Sequence, residues 1–322
     1  MRLTQISFHA VIAIGLVLVS LDSVQAQTTA PRSLLAREAS QVTDAPTPAK
    51  KPVAETVSVK SEIQSDKQEN GKTYTLRYKL RANEKIVSEV THLATTNTKI
   101  NDVSQSSQSR TVSSKVWEVK SVDKSGNMTF TQSVASVDLS QQVADGSEIR
   151  YNSATDKEAP PAFKSVAETI GKPLATITIT TWGEVTDRSE KANGGNLGMG
   201  DITIPMPQEA ITLGQQWETD REIRVRRTDG SPKIVKVREL YTLEKVSAGV
   251  AVISIRSEPL TPLREPEIEA QAIQQMSNGE VRFDIDAGRL ISKSLAWDKT
   301  VVGFSGAGSM MEYSARLDEK VQ

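Results

Sequence analysis

PPAFKSVAETIGKPLATITITTWGEVTDR, running from Pro160 to Arg188, changes its hydrophobic period halfway along, and that change decides the fold. In the first part Phe163, Val166, Ala167 and Ile170 share one face of a helix. Pro160 and Pro161 stand at the entry, where a missing N–H costs least. Gly171 and Pro173 end the helix. From Leu174 onward Ala175, Ile177 and Ile179 alternate with Thr176, Thr178 and Thr180, a strand pattern rich in β-branched residues. So short a helix is marginal alone in water, so it must lay its apolar face on a sheet, and the hairpin that follows is the obvious candidate.

The same grammar returns downstream. Arg264 to Met276 reads as a helix, with Pro266 near its start and Ile268, Ala272, Ile273 and Met276 on one side. Gly279 ends it, and Val281, Phe283 and Ile285 then alternate with Arg282, Asp284 and Asp286 before a turn at Ala287-Gly288. A hairpin precedes each helix: Lys115 to Val137, turning at Ser125-Gly126-Asn127, and Val237 to Glu258, turning at Ala248-Gly249. One reading is a degenerate internal duplication of hairpin, lid helix and hairpin over residues 71–190 and 201–322. The other is that half-exposed strands joined by glycine turns look alike without common origin.

Met1 to Ala26 reads as a cleaved secretory signal: Arg2, an apolar core over Ala10–Ser20, and a small-x-small site at Val24-Gln25-Ala26. The apolar run is short for a membrane span, which needs about 20 residues. The expected mature chain is therefore periplasmic or secreted, with no stable membrane insertion. With no cysteine anywhere it carries neither a lipidation site nor a disulfide. Residues 27–70 form a Thr/Ser/Pro/Lys-rich linker without aromatic residues, too polar to offset its ordering entropy.

The β-rich domain occupies 71–322. Its opening hairpin places Tyr74, Leu76, Tyr78 and Leu80 on one strand, turns at Ala82-Asn83-Glu84, and returns through Ile86 to Leu93. Asn101 to Ser114 is a polar strand or loop, Asp145-Gly146 a turn, and Lys191 to Asp201 a glycine-rich flexible loop. Trp217 opens a further strand, and the last hairpin turns at Gly306-Ala307-Gly308. The predicted fold is mainly β: a large curved antiparallel sheet or unclosed half-barrel, built from two similar halves, with two short helices capping its concave face.

Acidic and basic residues nearly balance, at a net charge of −1, so no field draws in nucleic acid. The basic run Arg221 to Arg227 reads as a solvated edge strand, weighed against an anion or glycan site. Beyond the signal there is one histidine, His92, in a threonine-rich strand without a partner motif. GFSGAG at Gly303 departs from the nucleophile elbow at Ala307. No metal-ligand spacing and no phosphate loop is found. The sequence thus nominates no catalytic, metal or cofactor residue. Its candidate lid or ligand-facing residues are Phe163, Val166, Ala167, Ile170, Ile268, Ala272 and Met276.

Three stretches, YTLRYKLRANEKIVSEVTH, PPAFKSVAETIGKPLATITITTWGEV and IPMPQEAITLGQQWE, resemble a family of exported, uncharacterised bacterial proteins of planctomycete type. The resemblance spans most of Lys72 to Leu317 and rests on glycines, prolines and aromatics, so it implies a domain of unknown function and no catalytic residue. The layout is also similar, at the level of architecture, to the unclosed half-barrels of lipoprotein carriers. The functional expectation is an exported, non-enzymatic binding or structural module of the cell envelope, its partner an envelope protein or an apolar ligand. The alternative is a carrier or sensor for a lipid held under the helices. An exported hydrolase is the third and weakest class, since only one histidine remains.

Overall fold

The computed structural model describes residues 71–142, 145–190 and 203–322. The signal, the linker and the glycine-rich loop lie outside the described residues. Twelve strands form one antiparallel sheet: β1 Lys85–Ile100, β2 Val103–Val122, β3 Met128–Gln142, β4 Glu148–Asn152, β5 Pro173–Ile179 and β6 Val185–Glu190 in the first half. The second half holds β7 Gln216–Arg226, β8 Pro232–Ser247, β9 Val250–Pro259, β10 Asn278–Asp284, β11 Arg289–Val302 and β12 Ser309–Val321.

The order across the sheet is β6-β5-β3-β2-β1-β12-β11-β10-β9-β8-β7, with β4 also on β3, and the sheet does not close into a barrel. The two halves therefore repeat one arrangement. β3, a helix, then β5 paired back on β3 is matched by β9, a helix, then β10 paired back on β9. β12 inserts between the halves and pairs β1 on one side and β11 on the other. This seam is the middle of the sheet.

The helices are shorter than their sequence patterns. Pro161–Phe163 is a 3-10 turn that leads into a single α-turn, α1, Lys164–Ala167. Gly171, at φ +74°, caps the turns that follow, as its identity suggests. α2 covers Pro266–Ala272 and tightens into a 3-10 turn over Ile273–Gln275. α1 packs on β3 and β4 in a satellite cluster of Val134, Val137, Leu139, Tyr151, Phe163 and Val166. α2 spans a wider gap. Its Ile268 and Ala272 meet Ile223, Val225, Val235 and Val237 of β7 and β8, while Ala270 and Ile273 meet Val301, Met311 and Tyr313 of β11 and β12. A single short helix reaches β7 and β12, five places apart, because the sheet curves around it.

One expectation is corrected. Tyr74 to Leu80 is not the first strand of a hairpin. It makes one isolated bridge, Tyr74 with Ile211, and otherwise runs as an unpaired strap inside the curved sheet. Leu76, Tyr78 and Leu80 are buried in the main core all the same. Residues 203–213 run beside the strap: Arg77 Nη1 donates to Pro207 O (2.7 Å), and the Tyr78 hydroxyl donates to Ile204 O (3.2 Å) while accepting from Ile204 N (3.0 Å). The strap is held between the two equivalent hairpin tips. Tyr78 N donates to Thr181 O in the β5–β6 turn (2.6 Å), and Lys79 N to Gly288 O in the β10–β11 turn (2.9 Å). Glycine is required at both tips: Gly183 has φ +84° and Gly288 φ +64°, and a methyl on Gly288 would lie 2.5 Å from Lys79 Cβ.

Candidate functional site

The alternation of the strands sends three charged residues inward at the seam. On β2, Ser113, Lys115, Trp117 and Val119 share the inner face; on β12, Leu317, Glu319 and Val321 do; on β11, Lys293, Leu295 and Trp297 do. Between β2 and β12, β1 offers only Ser88 opposite Lys115 and Val90 opposite Glu319, so a long lysine side chain can cross above them. The result is a buried triad. Lys115 Nζ pairs with Glu319 Oε1, and Lys293 Nζ stands 3.2 Å from Oε2. Burial alone would raise the Glu319 carboxyl, but the Lys293 and Lys115 ammonium groups hold it below its ordinary value.

A cleft opens onto this triad, lined by Tyr78 and Leu80 of the strap, Ile86, Ser88 and Trp117, Ile204, and Arg289, Leu290, Lys293, Glu319 and Val321. It measures about 450 Å³ counting space open to solvent. Its walls are mostly apolar and its polar groups converge, the usual build of a small-ligand site. Arg289 Nη1 pairs with Glu84 Oε1 at 2.8 Å. The Trp117 ring is stacked on Phe130 at 4.4 Å, with Lys115 Nζ 5.2 Å from its centre. Trp117 Nε1 and Arg289 Nε are buried and donate to no acceptor among the described residues, and Glu319 Oε2, beside the Lys293 ammonium, accepts no hydrogen bond there. Buried donors without partners are rare in folded proteins, and two of them line one cleft.

The residues nominated from the sequence lie elsewhere. Phe163 and Val166 are buried under α1, with Ala167 and Ile170 half-buried beside them. Ile268, Ala272 and Met276 are buried under α2 against β7 and β8. They form two separate clusters, and none lines the cleft. The basic run Arg221 to Arg227 is on an edge strand, and part of it holds α2. Arg221 Nε pairs with Glu239 (2.7 Å), its other arm donates to Gln275 O at the end of the helix, and the Tyr241 hydroxyl completes the Glu239 carboxylate at 2.6 Å. Gln271 of α2 bonds both the N–H and the C=O of Arg226, covering part of an open sheet edge. His92 is half-buried, edge-on to Trp297 at 6.1 Å between ring centres. Burial lowers its pKa.

Among the described residues no three His, Asp or Glu side chains come together as metal ligands, and no helix is long and apolar enough to cross a membrane. No family model matches the chain, and no curated protein is significantly similar to it.

Proposed function

We propose that the chain is an exported, non-enzymatic binding module whose ligand contacts lie in the seam cleft. The observation that carries this reading is that Trp117 and Arg289, whose Nε1 and Nε are buried without an acceptor among the described residues, line the same cleft as Lys293 and Glu319 of the triad. Both lysines of the triad engage the one carboxylate, which suits fixed recognition groups rather than groups that must exchange protons during turnover. Export rests on the signal-like segment at Met1 to Ala26.

The alternative of a lipid carrier places an acyl chain under the helices. The inner space there is occupied by the chain itself: Ile268 and Ala272 have no exposed surface, and Leu76, Phe130, Phe283 and Met206 fill the main core. The seam cleft, by contrast, is open to solvent and short of polar partners, so it is the better-supported site.

The test is mass spectrometry of small molecules released from protein purified from its own envelope. The parent is compared with a charge-free variant, Lys115→Met/Lys293→Met/Glu319→Leu, confirmed as folded by circular dichroism. A compound retained stoichiometrically by the parent and absent from the variant supports the reading. Equal retention by both, retention by neither, or conversion of the compound by the parent would overturn it.

A further inference from the structure

We infer that the outer face of the β7–β8 hairpin is a docking surface for an anionic lipid bilayer; this goes beyond the binding reading above and does not depend on the seam cleft. Alternation decides what each face of the hairpin carries. Ile223, Val225, Val235 and Val237 are buried against α2. Arg224, Arg226, Ile234 and Lys236 point the other way, and all four are exposed. The register sets Arg224 opposite Ile234 and Glu222 opposite Lys236. Leu260, just past the end of β9, lies beside them, its N–H donating to Lys236 O at 2.8 Å.

Elsewhere around this hairpin the cations are neutralised. Two residues along the outer face, Arg238 pairs with Asp220 and Glu218, and Arg256 pairs with Glu258. On the inner side Glu265 pairs with Lys233 and Arg227. In the turn, Asp229 accepts a hydrogen bond from Ser231 N. Among the described residues no carboxylate stands within ion-pair distance of Arg224, Arg226 or Lys236. Residues 222–236 hold five cations, Arg224, Arg226, Arg227, Lys233 and Lys236, against Glu222 and Asp229, with Glu265 a third carboxylate beside them. The excess of two positive charges stands on a chain of net charge −1, so the field is local and orients the molecule toward an anionic surface.

The apolar residues decide between a bilayer and a soluble polyanion. Ile234 and Leu260 are 46% and 43% exposed, on either side of the Lys236 backbone. At a bilayer surface the guanidinium and ammonium groups meet headgroup phosphates while aliphatic side chains enter the acyl boundary. A soluble polyanion offers those side chains nothing, and no aromatic ring stands in the patch for bases to stack on. Leu93 is exposed on the same side of the sheet and stands opposite Arg110 and Arg316, but those two are paired with Asp138 and Asp318. Gln271 bonds the Arg226 N–H and C=O, so the strand edge there is closed to an added strand and the face is what remains for a partner.

The test is co-sedimentation of the protein, as purified from its envelope, with two kinds of vesicle at low salt. One is phosphatidylcholine alone; the other is an equimolar mixture of phosphatidylcholine and phosphatidylglycerol. The parent is expected to sediment with the mixed vesicles, to stay behind with the neutral ones, and to be released by added salt. Arg224→Gln/Arg226→Gln/Lys236→Gln should weaken that binding on the order of 100-fold, roughly fivefold for each charge removed. Ile234→Ser/Leu260→Ser should weaken it by at least about fivefold. Lys120→Gln/Arg150→Gln/Arg316→Gln removes three exposed cations elsewhere and should bind nearly as the parent does. Circular dichroism checks that each variant folds, and if one patch variant does not, the other decides. Equal binding to both vesicles, no binding to the mixed ones, or patch variants that bind as the parent does would overturn the inference. So would heparin binding as tight as vesicle binding and undiminished in Ile234→Ser/Leu260→Ser, which would make the partner a soluble polyanion.

Discussion

Lys293 of β11 and Glu319 of β12 are direct cross-strand partners on the inner face, with Nζ 3.2 Å from Oε2 and side-chain exposures of 4% and 3%. Lys115 approaches the same carboxylate from β2, across Ser88 and Val90. The triad thus ties the last strand of the second half to the second strand of the first, beside the β1–β12 pairing where the halves adjoin in the sheet. A buried ion pair can cost as much to desolvate as it returns, so its presence argues for specification more than for stability.

Glu319→Gln should leave two buried lysines without their anion. The expected loss is about 3–5 kcal/mol, read from the urea midpoint. The charge-free triple variant should lie much closer to the parent, because three apolar side chains of similar size remove the desolvation cost together with the attraction. A Glu319→Gln protein as stable as the parent would mean that the triad is not buried as described.

The strap is tested at a hairpin tip. Gly288→Ala places a methyl 2.5 Å from Lys79 Cβ in a left-handed backbone conformation. Gly230→Ala has a similar φ, +82°, with nothing within 4 Å, and so reports conformational strain alone. That strain is about 1–3 kcal/mol. Gly288→Ala should cost more, and hydrogen exchange at the Tyr78 and Lys79 amides should speed up only in that variant. Equal effects of the two substitutions would show that the strap does not press on the tip.

His92 sets the pH response near neutrality. Burial depresses its folded pKa, so the folded protein resists protonation more than the unfolded chain does. Its contribution is fully present above the unfolded value of about 6.5 and is lost as pH falls below it toward the folded value. The denaturation midpoint should therefore drop as pH falls below about 6.5, and His92→Gln should flatten that part of the curve. Glu319, held below its ordinary value, contributes stability that disappears only at lower pH, below about 4.3. A His92→Gln profile that falls as steeply as the parent's would assign the transition to another group.

Phe163 is 4% exposed under α1, and Phe163→Ala should cost about 3–5 kcal/mol by leaving a cavity against Val134, Leu139 and Tyr151. Lys164→Ala, on the wet face of the same turn, should change the thermal midpoint little. If the two variants melt together, the helix is not docked on β3 and β4.

Much of the sheet is readable in the sequence because most strands have one wet and one dry face. Ala175, Ile177 and Ile179 are buried between half-exposed threonines, and the glycine turns at Gly126, Gly249 and Gly288 fall where the pattern puts them. The strap is misread for the same reason. Leu76, Tyr78 and Leu80 alternate with exposed or half-exposed residues, yet period two records two environments, not hydrogen-bonded neighbours. The cleft is not apparent because its charges come from β2, β11 and β12, far apart in sequence. A signal does exist: Lys115, Lys293 and Glu319 each stand in phase with apolar neighbours on the inner face, Trp117, Leu295 and Leu317 among them. One charged residue in phase with a buried face is commonplace, and three of mixed sign become meaningful only when the topology places those strands side by side.

The most direct measurement is the indole N–H spectrum of the ¹⁵N-labelled protein, stripped of small molecules, during titration with the compound recovered in the copurification experiment. The chain has four tryptophans: Trp117, Trp182, Trp217 and Trp297. Trp182 Nε1 donates to Glu184 and Trp217 Nε1 to Pro205 O, while Trp297 Nε1, like Trp117 Nε1, is buried without a partner but lies outside the cleft. The compound should shift the Trp117 resonance saturably, leave the other three in place, and have no effect in Lys115→Met/Lys293→Met/Glu319→Leu. A titration in which Trp117 stays fixed, or in which Trp297 moves in its stead, would contradict the assignment of the seam cleft as the binding site.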